Sequence, residues 1–196
     1  MRRAERRDFD GIMKLLRYIA EYHHGGRPDI FAGGGSKYNN EELEKICNDE
    51  DSPIFVAVGD VGDDERGVER VKNGNAGAAG LGRDNGEAAG DITERYYTES
   101  ADAESVLGYC FCIIKRNAGH AVLNDFNSLY IDDFCVDPGC QKMGVGKMLF
   151  AAVKEYARQI NVYEIDLNVW EFNEGAIRFY ERCGFKTQRR HMELIL

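Results

Sequence analysis

No uninterrupted apolar run in the 196 residues approaches the ~18 that a membrane-spanning helix needs, so no membrane partner is expected. The basic start, Met1 to Asp10, is followed by no apolar stretch with a cleavage site; no signal peptide is read, and a cytoplasmic address is expected. Positive charge is short: 25 Lys plus Arg against 34 Asp plus Glu leave a net charge of -9. That balance argues against nucleic acid as the main partner. No C-x-x-C occurs among the six cysteines (Cys47, Cys110, Cys112, Cys135, Cys140 and Cys183), which read as reduced thiols. A P-loop is absent, and a dinucleotide fingerprint opening at Gly144 would need a third glycine where Leu149 stands. Nor is there a Ser/His/Asp order around a nucleophile elbow. His23 and His24 are adjacent and diverge on a helix, and no metal site is expected.

One stretch lacks the means to build a core. Residues 60–104 contain no Phe, Trp, Met, Cys or Pro, yet hold eight of the 22 glycines and 12 acidic against five basic residues. Such composition reads as a mobile acidic insertion. Without its 45 residues, 151 remain, the size of one domain.

The remainder alternates between strands and helices. Pro53–Val58 and Val106–Ile114 flank the insertion and read as antiparallel neighbours. Asp8 is placed to cap a helix carrying Ile12, Leu15, Leu16 and Ile19. A glycine-rich link and a short helix, Glu41–Cys47, follow. Further strands are expected at Leu129–Val136, Tyr163–Trp170 and at the end of the Thr187–Leu196 tail, with helices at Gly144–Ile160 and Glu174–Cys183. The fold class is α/β, a mixed sheet with helices on both faces.

Chemistry concentrates between Tyr130 and Lys147. An apolar strand ends at Asp137-Pro138-Gly139, and Gly144 and Gly146 open a helix. A helix start offers unpaired N–H groups and a positive dipole end, which suits a polyanion. Lys142 and Lys147 oppose that dipole, and a bound polyanion would explain them. Asp132 and Asp133 are adjacent in a strand that should be apolar on both faces. Either one of them lines an acceptor pocket or the acids serve a structural ion pair near the strand's start. Downstream, Asn173 is a good N-cap and Phe172 is placed to staple onto Ile177. Tyr180 lies two turns further on, as a core tyrosine or as a residue whose hydroxyl reaches past the helix edge.

Two segments carry a family resemblance. Val136-Asp-Pro-x-x-Gln141-Lys142-x-Gly144-Val145-Gly146-Lys147 resembles the acetyl-CoA pyrophosphate loop (Q/R-x-x-G-x-G/A) of the GCN5-related N-acetyltransferases, the GNAT family. Asn173-x-x-Ala176-x-x-x-Tyr180-x-x-x-Gly184-Phe185 is similar to that family's second motif. The resemblance implies a mostly antiparallel GNAT-like sheet and acetyl-CoA as co-substrate. It implies acetyl-CoA contacts from Phe134, Cys135, Val136, Gln141, Lys142, Met143, Gly144, Val145, Gly146, Lys147 and Asn173. Tyr180 would protonate the departing thiolate. Ile131-Asp132-Asp133-Phe134-Cys135-Val136 is similar to the acidic strand of polyamine-type acetyltransferases, which makes Asp132 the expected base. Asn168 stands where ribosomal-protein alanine acetyltransferases carry Glu, so that base is not available. The expected function is acetyl transfer to a primary amine by direct attack, with a silent acyl-CoA-binding module as the alternative. The acceptor's identity and the oligomeric state stay open, a homodimer included.

Overall fold

The computed structural model describes residues 1–59 and 105–196. The acidic glycine-rich stretch, residues 60–104, lies outside the described residues. Among the described residues, five strands form one sheet in the order β1 (Arg2–Arg3), β2 (Ile54–Gly59), β3 (Ser105–Asn117), β4 (Phe126–Val136) and β5 (Glu164–Leu167). The first four are antiparallel neighbours, and β5 runs parallel to β4. This is the mixed, mostly antiparallel α/β sheet expected, with β2 and β3 paired across the 60–104 stretch. The two-residue β1, with no apolar pattern, was not expected.

Among the described residues, each face of the sheet carries two helices. On one, α1 (Phe9–Gly26) and α2 (Asn40–Cys47) bury Ile12, Leu15, Leu16 and Leu43 against Val56, Tyr109, Phe111 and Cys135. On the other, α3 (Val145–Gln159) buries Leu149, Phe150, Val153 and Ala157 against Cys110, Cys112, Leu129 and Ile131. The last helix, α4 (Glu174–Arg182), adds Phe179 to that second core. Alternation along β3 therefore sends Tyr109 and Phe111 one way and Cys110 and Cys112 the other. The two thiols are free, fully buried and 3.5 Å apart, as packing residues.

Local chemistry sets the helix ends. The Asn39 side chain accepts from the Glu42 amide at 3.0 Å while Glu42 accepts from the Asn39 amide at 2.8 Å, a capping box that starts α2. At the end of α4 the Gly184 amide bonds the Glu181 carbonyl and the Phe185 amide the Tyr180 carbonyl, both at 3.0 Å. This Schellman closure uses the left-handed φ of +99° at Gly184. It also folds Phe185 back onto the Tyr180 ring, 5.5 Å between centroids.

Two expectations are corrected. Asp8 precedes α1 but does not cap it: its carboxylate takes Arg2 at 2.6 and 2.8 Å and the Glu5 amide at 2.7 Å. A guanidinium that can fork onto both oxygens outcompetes a single helix amide. Residues 187–196 form no strand. Met192, Leu194, Ile195 and Leu196 are exposed, and the segment is tied down through Glu193, which accepts from Arg27 at 2.6 and 3.0 Å. A strand needs a partner edge as well as apolar alternation, and none meets the segment among the described residues.

Candidate active site

The two parallel strands part company halfway along. Pairing between β4 and β5 covers Ser128–Ile131 and Glu164–Leu167 only. Residues 133–136 stay paired with β3 on one side and have no strand neighbour on the other among the described residues. The start of α3 closes on this opening: a Cβ at Gly146 would lie 3.4 Å from the Phe179 ring and 3.5 Å from Val136 Cγ2. Just before it, Gly144 has φ +88°, and Lys142 also turns left-handed at φ +64°. No side chain caps α3, so the amides of Val145, Gly146 and Lys147 have no acceptor among the described residues. Lys142, Met143 and Lys147 are exposed around them. The Gln141 side chain folds back, its Nε2 donating to the Val136 carbonyl at 3.4 Å.

A bulge on β4 decides where the acidic pair points. Ile131 pairs with Cys112 and Asp133 with Phe111, so Asp132 is an extra residue with no partner on β3. Ile131 faces the α3 side and Cys135 the α1 side. With one residue inserted, both carboxylates emerge on the α1 side rather than on opposite faces. Asp132 accepts from Tyr38 Oη and Lys37 Nζ, each at 2.7 Å, and its carbonyl takes the same ammonium at 3.2 Å. Asp133 Oδ2 lies 4.0 Å from that ammonium, and Oδ1 accepts from Tyr109 Oη at 3.3 Å. Burial pushes the Asp133 carboxyl from 3.8 up to about 6, with Lys37 opposing the rise and Asp132 adding to it.

On the far side of the opening stands Tyr180. Its ring meets those of Phe134 at 6.3 Å and Phe179 at 5.3 Å. Its hydroxyl bonds nothing among the described residues, and burial raises its pKa well above that of a free phenol. A core tyrosine would have satisfied that hydroxyl.

The model of the acetyltransferase (GNAT) family matches residues 77–185, more than half of the chain. The chain belongs to that family. A glucosamine 6-phosphate N-acetyltransferase of Trypanosoma brucei brucei is 34% identical over 67 residues, which are 34% of this chain and 44% of that protein's length. Among solved structures, a tetramutant of the Bacillus halodurans protein BH1408 is 25% identical with a TM-score of 0.74, the alignment covering all of this chain and 98% of the other. An aminoglycoside N-acetyltransferase, AAC(6')-Iy, solved in complex with CoA, shares the fold at 13% identity and a TM-score of 0.57, over all of this chain and 97% of its own.

Within the GNAT chain, the expected site residues divide by what they offer. Lys142 to Lys147 present backbone and two ammonium groups around the α3 start. Phe134 is half-buried against Phe179 at 5.5 Å, and the Cys135 side chain is buried on the α1 side, its thiol pushed well up by burial and by Asp133. Cys135 and Val136 thus have main chain to offer at the open edge. Asn173 caps α4 as expected, accepting from the Ala176 amide at 3.0 Å, and also receives Tyr22 Oη at 3.4 Å. The Asn168 amide donates to Tyr130 Oη at 3.1 Å.

Sequence reasoning missed Lys37, Tyr38 and Tyr109. The first two reach the acidic pair from a loop some 95 residues earlier in the chain. It also missed an aromatic wall beside the His23 segment. His23 stacks on Phe31 at 5.0 Å, Phe31 meets Trp170 at 5.2 Å, and Phe172 meets Tyr22, His23 and Trp170 within 6.2 Å. A Cβ at Gly26 would come within 2.3 Å of the Phe172 ring, so glycine there lets α1 close on that wall. Burial, with Lys37 nearby, lowers the His23 pKa and favours its neutral form.

Proposed function

We propose that this acetyltransferase moves acetyl from acetyl-CoA to a primary amine by direct attack within a ternary complex. The observation that carries the reading is the bulge at Asp132. It gathers two carboxylates on one face of β4 where that strand is open toward β5, with the Tyr180 hydroxyl, unpartnered among the described residues, beside Phe134. Acetyl-CoA fits the other half of the opening. The uncapped amides of Val145, Gly146 and Lys147, with Lys142 and Lys147, suit its pyrophosphate, and the main chain of Phe134 to Val136 suits its pantetheine arm.

Acetyl-CoA supplies an activated acyl carbon and a thiolate leaving group. This chain's residues manage the protons. An alkylammonium has a pKa near 10.4 and attacks only as the neutral amine, so its proton must be taken directly or through water. Asp133 suits that task better than Asp132, since Asp132 is engaged by Tyr38 and Lys37 while Asp133 is pushed up to about 6. Asp132 then acts as the positioning residue that holds Lys37 and Tyr38. The raised pKa of Tyr180 keeps its hydroxyl protonated until a thiolate develops beside it.

The test is a panel of amines with acetyl-CoA, followed by free-thiol release: a polyamine, glucosamine 6-phosphate, an aminoglycoside, a lysine peptide and a peptide with a free N-terminus. Saturable release with at least one supports transfer. Calorimetric binding of acetyl-CoA with no release from any of them would leave a silent acyl-CoA-binding module.

A further inference from the structure

We infer that Lys37 is a site of self-acetylation: its ε-amine sits on the acidic pair of β4 where an acceptor amine would sit, so the enzyme can acetylate its own chain. The inference rests on the acetyl transfer proposed above and adds an acceptor to it. Three polar atoms of β4 surround the Lys37 nitrogen: Asp132 Oδ2 at 2.7 Å, the Asp132 carbonyl at 3.2 Å and Asp133 Oδ2 at 4.0 Å. The bulge creates this nest, because the extra residue leaves its carbonyl out of the β3–β4 ladder and in need of a donor.

The other lysines with ion pairs near the sheet are placed differently. Lys14 lies 3.8 Å from Asp137, and Lys115 lies 3.7 Å from Asp166 and over the Tyr130 ring. Lys37 belongs to the irregular link between α1 and α2, so its backbone is not fixed by a helix or strand. Its side chain is 41% exposed, which leaves the nitrogen open to a reagent as well as to its carboxylates. An amine held beside the reacting centre by its own chain gains the advantage of an intramolecular reaction, with no entropy of association left to lose.

The step balances without a further reactant. The Lys37 ammonium gives one proton to Asp133, directly or through water, and the freed lone pair forms an N–C bond to the acetyl carbon of acetyl-CoA. The C–S bond breaks, its electron pair leaves with sulfur, and sulfur takes a proton from Tyr180. The second nitrogen proton is lost as the amide forms, and Tyr180 is reprotonated. The net products are N-acetyl-Lys37, CoA thiol and one proton released to solvent. The amide carries no charge, so the ion pairs to Asp132 and Asp133 end with the reaction, and each chain is modified once.

The experiment incubates the purified full chain with acetyl-CoA and no amine, and follows intact mass and peptide maps with time. Parallel samples carry Lys37→Arg or Tyr180→Phe and are matched to wild type by thermal unfolding. The expected result is one acetyl group per chain, on the peptide containing Lys37, forming roughly tenfold or more faster than on any other lysine. The same peptide should slow by a comparable factor in Tyr180→Phe. Acetyl groups spread over many lysines at the same rate in wild type and Tyr180→Phe would overturn the inference as uncatalysed chemistry. An unmodified Lys37 in a protein that acetylates an added amine would overturn it while leaving the proposed function standing. An unmodified Lys37 with no amine acetylated, although acetyl-CoA binds, would overturn both.

Discussion

Replacing Asp133 by Asn should make the protein more stable and less active, an outcome opposite in sign to the loss of an ordinary carboxylate. The Asp133 carboxyl rises from 3.8 to about 6 on folding, so the folded chain binds its proton more tightly than the unfolded chain does. Its favourable contribution is therefore complete below about pH 4 and is lost as the pH climbs through about 6. The difference between 3.8 and about 6 corresponds to roughly 3 kcal/mol at pH 7.5. The groups facing it are Lys37, which opposes the rise, Asp132, which adds to it, and the Tyr109 hydroxyl, which donates to it. Asparagine keeps an oxygen for Tyr109 and carries no charge, and Lys37 retains Asp132 at 2.7 Å. Urea unfolding of wild type and Asp133→Asn at pH 4 and pH 7.5 measures the effect. The midpoints should nearly coincide at the lower pH, and at the higher pH the variant should gain up to about 3 kcal/mol with an unchanged slope. Turnover at pH 7.5 should meanwhile fall by about 10² or more. A variant less stable at pH 7.5, or one offset equally at both pH values, would refute the assignment of a strained, partly protonated carboxyl.

Tyr180→Phe should leave the fold and acetyl-CoA affinity within about twofold while kcat falls by roughly 10² to 10⁴, because only a hydroxyl with no bond among the described residues is removed; stopped-flow and calorimetry on one preparation check both halves. Gly144→Asp puts a β-carbon at φ +88° and a negative charge at the α3 start, so Kd for acetyl-CoA should rise at least about tenfold, or ~1.4 kcal/mol, by calorimetry. Asp8 behaves opposite to Asp133. Burial alone would raise its carboxyl, but the Arg2 hydrogen bonds and the Glu5 amide outweigh it and hold it below 3.8. Asp8→Asn should therefore cost about 3 kcal/mol at pH 7, shrinking as wild type is acidified below pH 4, as chemical unfolding would show.

Residues whose partners lie close along the chain were legible. Asn173, Gly184 and the apolar stripe of α3 state their roles within one or two helical turns, and the loop at Gly144 and Gly146 announces a close approach. Asp132 and Asp133 were visible as an anomaly, but their common direction was not, since a bulge on one strand depends on how its partner strand is matched. Lys37 carried no local signal, because its partner arrives from β4. The strand expected at the end of the Thr187–Leu196 tail failed for the converse reason: Met192, Leu194 and Leu196 alternate well, yet pairing is a property of two segments. The expected cap at Asp8 failed because Arg2, six residues away, competes for the same oxygens.

The bulge also separates what the core requires from what the proposed chemistry requires. With Asp132 removed, Ile131 would still face Cys112 and Asp133 would still face Phe111, now in an unbroken ladder. Leu129, Ile131, Phe134 and Cys135 would keep the neighbours they have on the two faces of the sheet. Ten of the eleven residues of β4 thus satisfy the architecture. The remaining one sets the crowding of charge at the open edge. A one-codon deletion there would give a descendant that folds as its ancestor did and has lost its paired carboxylates, so in a lineage of such chains the proposed chemistry is more easily mislaid than shape.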